Sequence, residues 1–272
     1  MAGQVVLKAL GFATRLALAL LLLGGRASAD NTDDDDLVRP QRLTVDVADD
    51  LLGQLGPDGK TLYFVSNRDT TNQVFAQGMA DGRARPLFDD GADVTWPRVS
   101  PDGRWLLYIS FRESASGQLC VRHLPEGDGR QCLKDSSAAL QAEWIDPRRI
   151  VLVSRRSIEG DLRIVEVTVG PDLSSRPLLD RNVTSPAVSP DGRWLVYVPV
   201  ARTVKTVGPG FAAHAASMLE AVPLTAPSTA PMKIALALPG QTGQPAFAVD
   251  GRSLFVVQFF TDTNHDGAID DE

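Results

Sequence analysis

Cysteine and histidine are scarce in this sequence, with two and three copies among 272 residues. The three histidines, His123, His214 and His265, have no evident serine or cysteine partner. No Gly-x-Ser-x-Gly pentapeptide occurs, so the strained turn that exposes a serine nucleophile in α/β-hydrolases is absent from this stretch of chain. Charge is sparse, at 22% of residues, and acids outnumber bases to give a net charge of −7. With no basic stripe there is nothing to neutralise phosphates, which argues against a nucleic-acid partner. The apolar run at residues 16–23 is short of the about 20 residues that a membrane-spanning helix needs. Helical spacing is rare. Residues 212–222 are the one tempting window, and they more simply continue a strand.

Glycine and proline, by contrast, are plentiful, at 23 and 18 residues, and they recur in order. The phrase Gly56-Pro57-Asp58-Gly59-Lys60 returns as Ser100-Pro101-Asp102-Gly103-Arg104, as Ser189-Pro190-Asp191-Gly192-Arg193 and, loosely, as Val249-Asp250-Gly251-Arg252. Proline presets φ for the second turn position, aspartate bonds back to nearby backbone, and glycine takes positive φ without a Cβ clash. Each phrase therefore predicts a hairpin, with a three-residue loop and a glycine bulge. Apolar strands follow at once, as in Trp105-Leu106-Leu107-Tyr108-Ile109 and Trp194-Leu195-Val196-Tyr197-Val198. A ligand-binding role for these aspartates is the weaker reading, because a folding device recurs once per unit and a site does not.

Asp58 and Asp102 lie 44 positions apart, and Asp102 and Asp191 lie 89 apart. The gap holds a degenerate copy at Asp146-Pro147-Arg148-Arg149, which has lost its glycine but kept its strand. Asp191 to Asp250 is 59, the excess falling in loops at 201–213 and 225–231. A period near 44 with a hairpin in every unit predicts an all-β fold, a β-propeller of four-stranded antiparallel blades. Four blades are expected at 51–88, 95–133, 142–179 and 185–238, with a fifth beginning at Gln244 and incomplete. Arg42–Val47 is expected as an additional strand, able to close the last blade. A six-bladed ring would need more residues than follow Arg42, so the sequence reads as a piece of a longer propeller. Trp96, Trp105, Trp144 and Trp194 recur at equivalent places, as large residues packing neighbouring blades would.

Residues 1–29 read as a secretion signal: Lys8 and Arg15 are positive, residues 16–23 apolar, and Ala27-Ser28-Ala29 a small-residue cleavage site. Its removal would take three positive charges and no acid, shifting the net charge from −7 to −10. Residues 30–41, with the run Asp33–Asp36, would then form a disordered acidic lead. Export to the periplasm or beyond would permit a disulfide. Cys120 and Cys132 flank a turn-rich segment centred on position 126, so they should face each other across a hairpin within one blade. Two buried free thiols are the alternative.

One motif carries specific chemistry. Asp262, Asn264, Asp266 and Asp270 stand at positions 1, 3, 5 and 9 of an EF-hand-like loop, with Gly267 at 6 and Ala268 at 7 offering its carbonyl. Calcium takes six to eight oxygens, and alternate donors on a sharply turned loop converge on one centre. Position 12 would be residue 273, just past Glu272. The reading is a structural calcium site, and the alternative is a solvated acidic turn.

The stretch Trp96-Pro97-Arg98-Val99-Ser100-Pro101-Asp102-Gly103-Arg104-Trp105, and likewise Leu62-Tyr63-Phe64-Val65-Ser66-Asn67-Arg68, resembles the repeat of TolB-type β-propellers. The resemblance spans roughly 51–260. It implies an exported propeller of six to eight blades that binds other proteins: a non-catalytic scaffold of the cell envelope. Two alternatives stand beside it. One is the N-terminal propeller of a prolyl oligopeptidase-like serine peptidase whose catalytic domain lies beyond residue 272. The other is a propeller that binds or cleaves sugars. For the calcium loop, titration calorimetry on a chain extended through position 273 should show binding at or below millimolar calcium, and Asp266→Ala should abolish the heat. No heat in the unsubstituted chain would make the segment an ordinary acidic turn.

Overall fold

Turn chemistry sets the first level of this fold. In a computed structural model, which describes residues 3–8, 42–44, 46–135, 137–155, 162–200, 218–236 and 241–259, Gly59, Gly103, Gly192 and Gly251 have φ of 65°, 73°, 66° and 65°. Each glycine amide closes a turn, as Gly59 N does on Gly56 O at 2.9 Å and Gly103 N on Ser100 O at 2.9 Å. The hairpin pair is Gly56 with Thr61, or Ser100 with Trp105, leaving four residues between rather than the three expected. The fourth residue is accommodated because Asp58 Oδ1 accepts the amides of Lys60 and Thr61 at 2.9 and 3.2 Å. The degenerate copy is tighter, with Asp146 paired to Arg149 across Pro147 and Arg148.

The strands in chain order are β1 (Gly3–Lys8), β2 (Asp50–Leu55), β3 (Thr61–Ser66), β4 (Gln73–Gly78), β5 (Ala84–Pro86), β6 (Val94–Val99), β7 (Trp105–Ser110), β8 (Gln118–His123) and β9 (Gln131–Cys132). They continue with β10 (Ala138–Asp146), β11 (Arg149–Arg155), β12 (Leu162–Thr168), β13 (Ser174–Leu179), β14 (Val183–Val188), β15 (Trp194–Pro199), β16 (Met218–Pro223), β17 (Met232–Ala235), β18 (Gln241–Phe247) and β19 (Ser253–Phe259). No helix occurs among the described residues. Four sheets each hold four consecutive strands: β2 to β5 (sheet I), β6 to β9 (II), β10 to β13 (III) and β14 to β17 (IV). Sheet V has the order β18, β19, β1. All pairs are antiparallel, which makes sheets I to IV up-and-down blades, while sheet V takes its outer strand from the other end of the chain. The fold is the all-β propeller that the repeat predicts.

The second strand of each blade is apolar without interruption because both of its faces are buried. Leu106 and Tyr108 on β7 pack towards sheet I, whereas Leu107 and Ile109 pack towards sheet III. Val151 and Val153 on β11 turn to sheet IV, and Ile150 and Leu152 turn back to sheet II. Period-2 alternation thus separates two neighbours rather than core from solvent. Leucine, isoleucine and valine side chains that are fully buried contribute about 1.5–3 kcal/mol each, so these four junctions hold the arc together.

Two boundaries differ from the expectation. Of Arg42–Val47, the described residues are not strand. They lack a ladder partner and cover the outer face of sheet I instead: Gln77 Nε2 donates to Leu43 O at 2.7 Å. There the Arg68 guanidinium lies 4.7 Å over the Phe75 ring and reaches Asp50 at 2.9 Å. The outer strand of sheet V is β1, which falls in the segment read as a leader, with Gly3 opposite Gln258 and Lys8 opposite Ser253. Among the described residues no hydrophobic cluster joins sheet V to sheet I.

Two glycine substitutions separate conformation from space. A Cβ at Gly59 meets nothing within 4 Å, whereas at Gly192 it would lie 2.9 Å from Ile145 O in the preceding blade. Gly59→Ala should cost about 1–2 kcal/mol from positive φ alone. Gly192→Ala should cost clearly more, read as the difference in urea midpoints.

Candidate functional site

The innermost strand of each blade carries an extra residue. Register slips between Leu51 and Gln54, Thr95 and Arg98, Thr184 and Ala187, and Gly243 and Ala246 mark the bulges, and β10 of sheet III has two, between Ala139 and Gln141 and between Trp144 and Asp146. Leu52, Trp96, Ser185 and Gln244 sit in the first four at φ of 55°, 58°, 50° and 48°. A non-glycine residue held at positive φ costs roughly 1–3 kcal/mol and needs surrounding bonds to hold it. Those bonds come from neighbouring blades. Gln54 Oε1 accepts the Val99 amide at 2.7 Å, and Gln141 Oε1 accepts the Ser185 amide at 2.6 Å. Trp96 Nε1 donates to Ala142 O at 2.9 Å, and Trp144 Nε1 donates back to Arg98 O at 2.9 Å. Two of the four tryptophans expected between blades, Trp96 and Trp144, are therefore also polar ties.

These strands surround a central cavity of about 490 Å³ bordered by residues of all five sheets, among them Gln54, Arg98, Glu143, Ser185 and Gln244. Its one ion pair joins Arg98 Nε to Glu143 Oε1 at 2.8 Å, with the guanidinium 4.7 Å over the Trp96 ring. The walls withdraw water from Glu143, and this burial raises its carboxyl above the usual range against the pull of Arg98. Pro186, Pro245 and Phe247 add apolar surface. A guanidinium stacked on indole, a carboxylate and side-chain amides can recognise a chain or ligand. Sequence reading did not single out Gln54, Gln141, Arg98 or Glu143. Their 44- and 45-residue separations from the groups they bind match the repeat, and this was the available signal.

A second polar cluster lies between sheets I and II. Asp90 is fully buried and accepts from Tyr108 Oη at 2.8 Å, from Ser110 Oγ, from Arg122 at 3.1 Å and from Arg130 at 3.2 Å. Burial pushes its carboxyl up, but the hydroxyls and guanidiniums outweigh this and hold it below its ordinary value. Burial and the adjacent carboxylate push Tyr108 up to about 12. Oδ1 accepts three of these bonds and Oδ2 the fourth, so the carboxylate is held by donors of the fold itself and the cluster is structural. Cys120 and Cys132 are bonded across β8 and β9, directly opposite one another. The Leu133 amide bonds Leu119 O next to them, which makes the cysteines a non-hydrogen-bonded pair, the kind whose side chains come closest.

Asp262, Asn264, Asp266, Ala268 and Asp270, the candidate calcium ligands, lie outside the described residues, as do His214 and His265. Among the described residues no group of three or more His, Cys, Asp or Glu side chains is placed to hold a metal ion. His123 stacks on Trp105, ring centroids 3.8 Å apart. No described helix is long and apolar enough to cross a membrane.

No family model matches the chain. It is 25% identical over 148 residues to the Tol-Pal system protein TolB of Desulfosudis oleivorans, covering 54% of this chain and 33% of that protein. It is 29% identical over 143 residues to an uncharacterized peptidase, YuxL, of Bacillus subtilis, covering 52% of this chain and 20% of that protein. The chain thus spans a third or less of these relatives. The structure of a putative TolB from Agrobacterium tumefaciens superposes with a TM-score of 0.63 at 18% identity, over 79% of this chain and 76% of the other. The fold is a TolB-type β-propeller. A puromycin-hydrolyzing peptidase of Mycobacterium tuberculosis also superposes, with a TM-score of 0.56 at 18% identity over 76% of this chain and 34% of the other.

In this TolB-type propeller the depressed carboxyl of Asp90 gives a signed pH dependence. Its stabilisation is present above the ordinary carboxylate pKa and is lost as pH falls through the lower folded value. Asp90→Asn should destabilise towards the lower end of about 3–5 kcal/mol, since both arginines keep some water. It should also flatten the loss of stability between about pH 5 and pH 2, measured by urea unfolding at each pH.

Proposed function

We propose that the chain belongs to an exported, non-catalytic β-propeller scaffold that binds other proteins in the cell envelope, with a structural calcium loop at residues 262–272. The observation that carries this reading is the central cavity, where Arg98, Glu143 and Trp96 stand among bulged strands and present recognition groups. The likeness to a Tol-Pal system protein supports an envelope setting. The Cys120–Cys132 bond fits an oxidising compartment, and with it the leader reading of residues 1–29, under which cleavage would remove β1 from sheet V. Asp262, Asn264, Asp266, Ala268 and Asp270 would tie the turn after β19 around one calcium ion.

A peptidase is the second reading, favoured by the two peptidase relatives in sequence and structure. There the propeller would filter substrates for a hydrolase domain encoded beyond residue 272. The reading frame separates the two cases, because a nucleophile elbow in an α/β pattern downstream would favour the peptidase. For the scaffold, a photo-crosslinking side chain at Gln244 on the cavity wall should yield discrete adducts in envelope extracts. The same group at exposed Arg176 on β13 should not. Identical adduct patterns at the two positions would remove the cavity from consideration as the binding face.

A further inference from the structure

Sheets II and IV present equivalent strands to the next blade, but with different volumes. The face of sheet II towards sheet III carries Trp105, Leu107 and Val121, with Leu107 opposite Val121. The same face of sheet IV carries Trp194, Val196 and Ala221, with Val196 opposite Ala221. Three carbons are missing at the junction of sheets IV and V, on the side of the Pro-Asp-Gly turns. The result is a cleft of about 370 Å³. Trp194 and Phe247 form its aromatic walls, Val196 and Ala221 its floor, and Asp191 and Asp250 stand at its rim with Arg193.

The rim charges do not cancel. Asp191 accepts from Ser189 Oγ at 2.6 Å and from the Arg193 amide at 3.1 Å, with Arg193 Nε 4.0 Å from its other oxygen. Asp250 accepts the Arg252 amide at 2.9 Å, yet among the described residues it makes no ion pair. The turn of sheet II differs here, since Arg104 lies 3.9 Å from Asp102. An apolar slot between two aromatic rings, with one uncompensated carboxylate at its mouth, is complementary to an organic cation on an apolar body.

We propose that this cleft binds a monovalent amidinium, guanidinium or alkylammonium group, its stem or ring between Trp194 and Phe247 and its charge at Asp250. A small metabolite or an arginine or lysine side chain of a protein could supply that chemistry. The cleft shares Pro190 and Phe247 with the central cavity but not the Arg98–Glu143 pair, and the proposal does not depend on the scaffold reading.

The test follows the Trp194 indole N–H, assigned with Trp194→Phe, in nitrogen–proton spectra of the full chain. The probes are benzamidine, its neutral isostere benzamide, and acetyl-Gly-Arg-Gly-amide. Benzamidine should give a saturable shift and bind roughly fivefold tighter than benzamide, the weight of one exposed charge pair. Asp250→Asn should erase that preference, and Ala221→Leu should abolish binding by filling the floor. Asp250 is on an exposed turn, so its variant keeps the test alive if Ala221→Leu fails to fold. Tighter binding of the peptide would support a protein side chain as the occupant, and tighter benzamidine a small cation. Equal binding of benzamide, unchanged binding in both variants, or no shift at all would overturn the proposal.

Discussion

The architecture depends on side chains of one blade satisfying the inner backbone of the next. Each bulged inner strand leaves groups that its own sheet cannot pair, and a buried unpaired amide or carbonyl costs about 1–3 kcal/mol. Gln54 and Gln141 answer this for Val99 and Ser185, and Trp96 and Trp144 answer it for Ala142 and Arg98. The constraint is mutual. The bulge is tolerable only beside a neighbour, and the neighbour is held at one distance and rotation by the bulge. Apolar burial supplies the larger energy, but it is non-directional. The polar ties choose the angle.

That division of labour explains where function can reside. The second strand of each of sheets II, III and IV is committed to packing, with both faces buried at β7, β11 and β15, whereas the outermost strands β5, β13 and β17 are largely exposed. The inner strands are committed to one another through a few side chains only. Besides those exposed edges, the cavity they enclose and the turns above the junctions remain free. The Arg98–Glu143 pair occupies the first, and the Trp194–Phe247 cleft lies under the second. Both are the places proposed for recognition, as loops and channel mouths carry binding in repeat folds while the repeat itself carries stability.

Buried polar clusters take different forms, and different positions, from blade to blade. Asp90 with Arg122 and Arg130 serves the junction of sheets I and II, Glu166 with Arg176 and Arg149 serves sheet III, and Glu220 with Arg181 and Tyr197 serves sheet IV. Each pairs a carboxylate with arginine, whose planar fork bonds while its apolar stem packs. The residues do not align at one repeat position, so no periodic signal announces them.

What the sequence determined by itself is local. Pro-Asp-Gly dictates a reversal through the φ preferences of three residues, and an apolar run after it dictates a strand buried on both faces. Repeating the pair at 44 residues leaves few folds other than a propeller. The strands at 73–78 and 194–199 were legible for that reason, and so was the facing of Cys120 and Cys132 about a turn. Only the tertiary structure decided which residues meet across blades. The pairing of Arg98 with Glu143, the fourth residue in the hairpin loop, the covering of sheet I by residues 42–44 and 46–49 and the cleft beside Ala221 all depend on the distance and rotation between neighbouring sheets. Those are set by side-chain volumes and cross-blade hydrogen bonds acting together, and neither is a property of any single stretch of chain.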